Sequence, residues 1–360
     1  MGNLKMWYDI FSKKAVNIQV ETERIQLEEF LKWQNLALDP EVEYTIAFFD
    51  KGKMVATGSL GGKILKCIAV DEEYQNMGLS AKLVTDLIHE ACSRGRTHLF
   101  IYTKPENKNI FSDLGFYPIA EVSSKVILME NRPNGIKNYL NQLMKEKNYS
   151  ISDHLDNTGT GAVVVNCNPF TLGHQYLIEY AASRCKILHV FVLEEDKSIF
   201  PSVIRYRLVS EGVQHLDNVV VHQGKDYIIS EATFPSYFIK EYQDIVETHA
   251  LLDLEIFTRY ISPSLEIQKR FVGEEPCCKV TAAYNSVMQE NLPAQGIEVQ
   301  VLPRLRDEGK AISASRVREL ICEGRLSEVK KLVPNHTYEF LLSAEADGII
   351  QQIQANHKKY

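Results

Sequence analysis

Thr171 and His174 stand three residues apart, with Gly173 between them, where the apolar run Ala162–Val165 gives way to an amphipathic one. A junction of that kind delivers a strand to the N-terminus of a helix, whose free N–H groups and dipole attract anions. There the Thr171 hydroxyl and a ring nitrogen of His174 can each donate to a phosphoryl oxygen, and Gly173 permits close approach of the backbone to a ligand. Asn166, Pro169 and Phe170 belong to the same stretch, with Pro169 ending the strand. Taken alone, the residues serve equally well as an N-cap threonine followed by a surface histidine.

A second cradle lies far along the chain, in Gly309–Gly324. Ser313 and Ser315 precede a helical pattern carrying Arg316 and Arg318, with Val317, Leu320 and Ile321 facing inward. Alone, this is better read as an N-cap followed by solvated basic residues. Paired with the first site it makes a clamp for ATP, and no GxxxxGK[ST] loop competes with it.

Two weaker sites follow. The loop Gln75-Asn76-Met77-Gly78-Leu79-Ser80 precedes a helix and can present successive N–H groups to a pyrophosphate, although Gly78 can equally be a helix-start glycine. For a small carboxylate, Lys197, Arg205 and Arg207 are candidates, each equally readable as a solvated helix charge. The aromatic stretch Tyr227–Phe238, punctuated by Pro235, is suited to a small pocket, a lid or core.

These residues need a frame, and the hydrophobic periodicity supplies an α/β one. In residues 1–130, two strands flank Asp50-Lys51-Gly52-Lys53 as a hairpin. A third strand, Ile64–Val70, leads into a helix with Leu79, Leu83, Val84, Leu87 and Ile88 on one face and Gly95 as its stop. A strand, a short helix ended by Gly115 and another strand follow. Residues 131–158 are expected to be a linker containing a short helix. Over 159–344, near-continuous apolar strands alternate with helices, which predicts a Rossmann-like parallel sheet with its ligand near the carboxyl ends and the switch point. Residues 345–360 are expected as a tail.

Composition narrows the class. A net charge of -7 argues against a nucleic-acid binder, and seven irregularly spaced cysteines describe no disulfide framework. Adjacent Cys277 and Cys278 make no CxxC clamp, so no metal site is expected. No secretory signal, myristoylation motif or membrane-length apolar run is found, so a cytoplasmic protein with no membrane partner is expected.

The phosphate motifs carry a resemblance. Thr171-Leu172-Gly173-His174 and Ile312–Arg318 resemble the (T/H)xGH and ISxTxxR motifs of the nucleotidyltransferase superfamily, with Ser315 in place of the second-motif threonine. Arg270–Pro276 is similar to the glycine-acid strand end that lines the adenosine there, which implicates Gly273 and Glu274. Gln75–Ser80 resembles the coenzyme A loop (Q/R)xxGx(G/A) of GNAT acetyltransferases, with Ser80 replacing the final small residue. The pairing, over essentially the full length, resembles the citrate lyase ligase family, as do Asn166–Ala182 and Ser230–Lys240.

That resemblance implies a GNAT-like domain followed by an adenylylating one. It implies that acetate and ATP form acetyl-adenylate and pyrophosphate, and that the acetyl group then passes to a thiol on the acyl carrier subunit of citrate lyase. His174 would stabilise the α-phosphate, with Thr171, Ser313, Ser315 and Arg318 on the β- and γ-phosphates and Mg2+ neutralising the leaving group. The thiol ends a dephospho-coenzyme A-like arm, which Gln75–Ser80 would dock. No general base for acetyl transfer is visible in the first domain. Three alternatives stay open: an adenylyltransferase building a dinucleotide-like cofactor, a GNAT acetyltransferase with a nucleotide-sensing domain, and a non-catalytic nucleotide sensor or carrier-binding module.

Overall fold

The computed structural model describes residues 11–147, 159–194, 198–229, 237–239, 242–275 and 279–357. The chain divides into two compact units, Met1–Gly135 with Pro235–Thr248, and Ile136–Phe234 with His249–Tyr360.

In the first unit, β1 (Ser12–Ala15), β2 (Tyr44–Asp50), β3 (Lys53–Gly61), β4 (Ile64–Val70), β5 (Phe100–Thr103), β6 (Tyr117–Val122) and β7 (Val126–Glu130) form one sheet in the order β1-β2-β3-β4-β5-β7-β6. Its helices are α1 (Glu21–Trp33), α2 (Leu79–Ser93) and α3 (Lys108–Asp113). The expected β2–β3 hairpin closes with Asp50 opposite Lys53. Lys51 and Gly52 both have positive φ, 47° and 87°, which matches the twist of a two-residue hairpin turn. Helix α2 buries Leu79, Leu83, Val84, Leu87 and Ala91 against the sheet, with Ile88 at the margin, and Gly95 follows its end at φ 77°. Each of those leucines contributes roughly 1.5–3 kcal/mol by leaving water. Strands β4 and β5 run parallel but pair only at Ile64↔Phe100 and Leu65↔Ile101, so they part toward their carboxyl ends.

In the second unit, β8 (Thr160–Val165), β9 (Ile187–Val192), β10 (Val219–Gln223), β11 (Ile267–Gly273) and β12 (Glu298–Leu302) form a wholly parallel sheet in the order β10-β9-β8-β11-β12. The apolar runs become strands because both faces are covered. The order reverses between β8 and β11, the crevice where such sheets bind ligands.

The helices of this unit are α4 (Gly135–Lys147), α5 (Leu172–Ala182), α6 (Ser202–Val213), the part of α7 (Tyr242–Ile256) from His249 on, α8 (Ser262–Leu265), α9 (Lys279–Asn291), α10 (Ala314–Cys322), α11 (Leu326–Val329), α12 (Asn335–Leu341) and α13 (Asp347–His357). A small hairpin, β13 (Arg306–Asp307) with β14 (Lys310–Ala311), precedes α10. The core joins Val163, Val165, Leu188, Val190 and Phe271 of the sheet to Leu177, Ile178, Leu208, Val317 and Ile321 of the helices.

Helix α4, from the segment expected as a linker, packs on this unit: Tyr139 stacks on Tyr227 at 5.1 Å and donates to the Gln223 carbonyl at 3.2 Å. Ile349 and Ile353 of α13 enter the core, which therefore extends past residue 344. No described helix is long and apolar enough to cross a membrane.

Candidate functional site

Helix α5 starts with a reciprocal cap. Thr171, in extended conformation at φ −125°, accepts the His174 N–H on its hydroxyl at 3.4 Å. The Thr171 N–H in turn donates to His174 Nδ1 at 3.1 Å. A backbone N–H can only donate, so Nδ1 is the lone-pair nitrogen and the ring proton sits on Nε2. Burial, with the nearby Arg304 charge, lowers the His174 pKa to about 4. His174 is therefore a neutral imidazole with one N–H donor, on the wall of a cavity of about 530 Å³. Thr171 was expected to donate to phosphate. It is only 1% exposed, and its hydroxyl lies 2.9 Å from Nδ1, so it orients the imidazole.

The two distant motifs meet. Ser313 is the N-cap of α10, accepting the Arg316 N–H at 3.2 Å. A Cβ on Gly173 would lie 2.9 Å from the Ile312 carbonyl oxygen. The glycine is thus demanded by the backbone of the second motif, where close approach to a ligand was expected. Arg318 donates through Nη1 to the Asn168 carbonyl and through Nη2 to Ser315 Oγ at 3.2 Å, tying α10 to the loop after β8. Arg316 pairs with Asp307 at 3.2 Å.

Among the expected nucleotide residues, Asn166, Thr171, Gly173, His174, Gly273 and Ser313 line the cavity. Pro169, Phe170, Glu274, Ser315 and Arg318 are not part of its wall. Phe170 is fully buried in the core, its ring against Gly212, where an added Cβ would come within 2.3 Å of it. Glu274 is exposed, and Glu275 takes the place on the cavity, paired with Arg304.

The carboxylate candidates fare differently. Lys197 lies outside the described residues, as does most of Ser230–Lys240. Arg205 has no contact with the cavity, because its guanidinium is completely buried and committed. It donates to the carbonyls of Phe200 at 2.9 Å, Asn166 at 2.9 Å and Leu193 at 2.6 Å, and to Asn166 Oδ1 at 2.7 Å. It is a brace that holds the strand-end loop. Arg207 is a surface cation paired with Glu345 at 2.9 Å.

Sequence reasoning missed the far wall. Helix α7, a π turn over Phe257–Ile261 and α8 form one continuous helical run that supplies His249 and Asp253. Asp253 accepts the Ile229 N–H at 2.9 Å and the Tyr284 hydroxyl. His249 Nε2 donates to the Ile229 carbonyl at 3.0 Å. Arg270, on β11, reaches the same wall. One signal was available: an arginine inside an apolar strand run is an anomaly, since arginine is almost never fully buried unless paired. Among the described residues, no group of three His, Cys, Asp or Glu side chains is placed to hold a metal ion.

In the first unit, Gly78 is the N-cap of α2 at φ 76°, with nothing within 4 Å of an added Cβ and no side chain capping the helix. Asn76 is also left-handed, at φ 62°. The first N–H groups of α2 therefore have no side-chain cap, with open space beside Gly78. Gln75 lines a cavity of about 220 Å³ with Ile68, Val70, Thr103 and Asn107, in the gap where β4 and β5 part. Met77 is exposed, whereas the Leu79 side chain is buried in the core, so only its N–H is available there.

A GNAT-type sheet in one unit and a five-stranded parallel sheet with capped helix N-termini at its switch point in the other define the class: an acyltransferase-like module joined to a nucleotidyltransferase-type one. Residues 4–116 match the family model described as Acetyltransferase (GNAT) family. Residues 160–341 match that described as Citrate lyase ligase C-terminal domain. The chain is 40% identical over 334 residues to the citrate (pro-3S)-lyase ligase of Klebsiella pneumoniae, covering 92% of this chain and 96% of that one. It is 40% identical to the Escherichia coli (strain K12) protein of the same name, covering 92% and 94%, and 38% identical to that of Haemophilus influenzae, covering 90% and 97%. The chain belongs to the citrate lyase ligase family of enzymes.

Proposed function

We infer that the protein activates citrate lyase by an ATP-driven acetylation carried out in two steps. In the first, an acetate oxygen attacks the α-phosphorus of ATP; the bond to the bridging oxygen breaks, pyrophosphate leaves and acetyl-adenylate forms. In the second, the thiolate of a dephospho-coenzyme A-like arm on the acyl carrier subunit attacks the acetyl carbon, and AMP departs with the carboxyl oxygen.

The observation that carries this reading is the fixed, neutral His174 with its Nε2 proton, on the cavity that Ser313 also lines. A neutral N–H donor serves an α-phosphate whose charge shifts toward the leaving group, and positioning with charge stabilisation is what phosphoryl transfer asks of a protein. The Gly173 N–H and the first N–H groups of α10 would hold the outer phosphates, with Arg304 nearby and Arg318 at the seam between the motifs. Magnesium, ordinarily bound through substrate phosphates, would neutralise the pyrophosphate. The open loop Gln75–Ser80 and the adjoining gap between β4 and β5 suit the pyrophosphate and the narrow chain of the arm.

The test is exchange of labelled pyrophosphate into ATP. Exchange that requires acetate is expected. Exchange absent with acetate, or supported only by a phosphorylated cosubstrate, overturns the reading.

A further inference from the structure

Arg270 lies three residues before Gly273, the last residue of β11, so it sits roughly 10 Å below the strand-end rim that carries His174 and Ser313. It is 3% exposed and is one of the residues that line the cavity. Its Nε and Nη1 are shut off from solvent and make no hydrogen bond. No described carboxylate reaches ion-pair distance of it. Asp253, the acid nearby, has its two oxygens taken by the Ile229 N–H and the Tyr284 hydroxyl. Beneath the guanidinium lies the Phe257 ring, 4.6 Å from Cζ to the centroid. Burial pulls the Arg270 pKa below the usual arginine value, opposed by Tyr284 and Asp253.

A buried guanidinium with unspent donors is costly to keep, by several kcal/mol, unless an anion completes it. Its planar fork fits a carboxylate or a phosphate. Three features favour the carboxylate. The place is deep, away from the helix N-termini at the rim. Ile228, Ile229, Val272 and Met288 also line the cavity, and they offer apolar surface to a short alkyl group. Asp253 nearby repels a polyanionic phosphate far more than a monoanion.

We propose that Arg270 is the residue that binds the carboxylate of the acyl substrate, at the part of the cavity that Asp253 and Tyr284 also line. The proposal rests on the adenylation reading for its chemistry, but the subsite itself can be tested without it.

The experiment compares the full-length protein with Arg270→Met and Arg270→Lys in three measurements: ATP affinity, the acetate dependence of pyrophosphate exchange, and acetate binding by calorimetry with acetamide as the uncharged control. For Arg270→Met, loss of one partner of a buried charge pair predicts an acetate KM raised roughly 30- to 1,000-fold. ATP affinity is expected within about threefold of the parent, and the melting temperature at or above the parent's, since an uncompensated buried charge has been removed. Arg270→Lys should keep part of the acetate affinity, and acetamide should bind neither form. Unchanged acetate binding in Arg270→Met overturns the subsite. ATP affinity falling in step with acetate assigns the guanidinium to a phosphate and overturns it as well. Parent protein that binds acetate through Arg270 yet shows no exchange leaves the subsite standing and removes the adenylation reading instead.

Discussion

Thr171 and His174 fix one another: the Thr171 N–H donates to His174 Nδ1 at 3.1 Å, and the His174 N–H returns to the Thr171 hydroxyl at 3.4 Å. One cap thereby starts helix α5 and also decides which imidazole nitrogen carries the proton. Helix stability and the imidazole tautomer are coupled at this pair.

Thr171→Val removes the hydroxyl and keeps the shape. Loss of an N-cap costs about 1 kcal/mol, read as a lower denaturation midpoint. With the imidazole less constrained, pyrophosphate exchange should fall roughly tenfold in kcat, while the ATP KM changes little, the pattern for an interaction realised in the transition state. Thr171→Ser should restore most of both. Equal loss in the serine variant would contradict the role given to the hydroxyl.

His174 titrates near pH 6.5 in the unfolded chain and at about 4 in the folded one. Between these values the unfolded chain binds the extra proton, so this group's contribution is complete above about pH 6.5 and is lost as the pH falls toward 4, at about 1.4 kcal/mol per unit. Urea unfolding at pH 7, 6 and 5 should show that loss in the parent and a smaller one in His174→Asn. The pH profile of exchange should show no limb near 6.5 that disappears in the variant.

Gly173→Ala places a methyl group 2.9 Å from the Ile312 carbonyl oxygen, and neither backbone can yield cheaply. A loss of roughly 1–3 kcal/mol in stability is expected, with weaker ATP binding, because the methyl wedges apart the two motifs proposed to flank the nucleotide. ATP affinity equal to the parent's would show that the seam does not hold the phosphates.

Arg205→Met should act on folding, in contrast to Arg270→Met. It strands three buried carbonyls and the Asn166 side chain, so destabilisation above about 3 kcal/mol is expected, with the acetate KM of the surviving folded fraction unchanged. A raised acetate KM at parental stability would reverse the assignments of the two arginines.

Gly78→Asp sets a carboxylate in the open loop before α2 and forces a β-carbon onto φ 76°. Acetylation of the carrier subunit should drop more than about tenfold through charge repulsion, while acetate-dependent exchange holds. If both reactions proceed normally, the loop does not take the arm.

Sequence alone fixed what depends on neighbours along the chain. The β2–β3 hairpin with its Lys51-Gly52 turn, helix α2, the N-caps at Thr171 and Ser313 and the parallel character of the second sheet follow from periodicity, positive-φ demands and local hydrogen bonding. Apart from the meeting of the two motifs, contacts across long separations did not follow, because they depend on which faces pack together. Nothing local to Arg205 tells a brace from a substrate cation; its burial under the loop after β8 decides it. Phe170 sits within a phosphate motif, yet its ring fills the core beside Gly212. The far wall was the largest omission: an α-helix prolonged by a π turn brings Asp253 and Phe257 to an arginine on β11. The order of residues specifies that an arginine interrupts an apolar strand, and only the packed sheet and helices show that it is buried with unspent donors beside an open cavity.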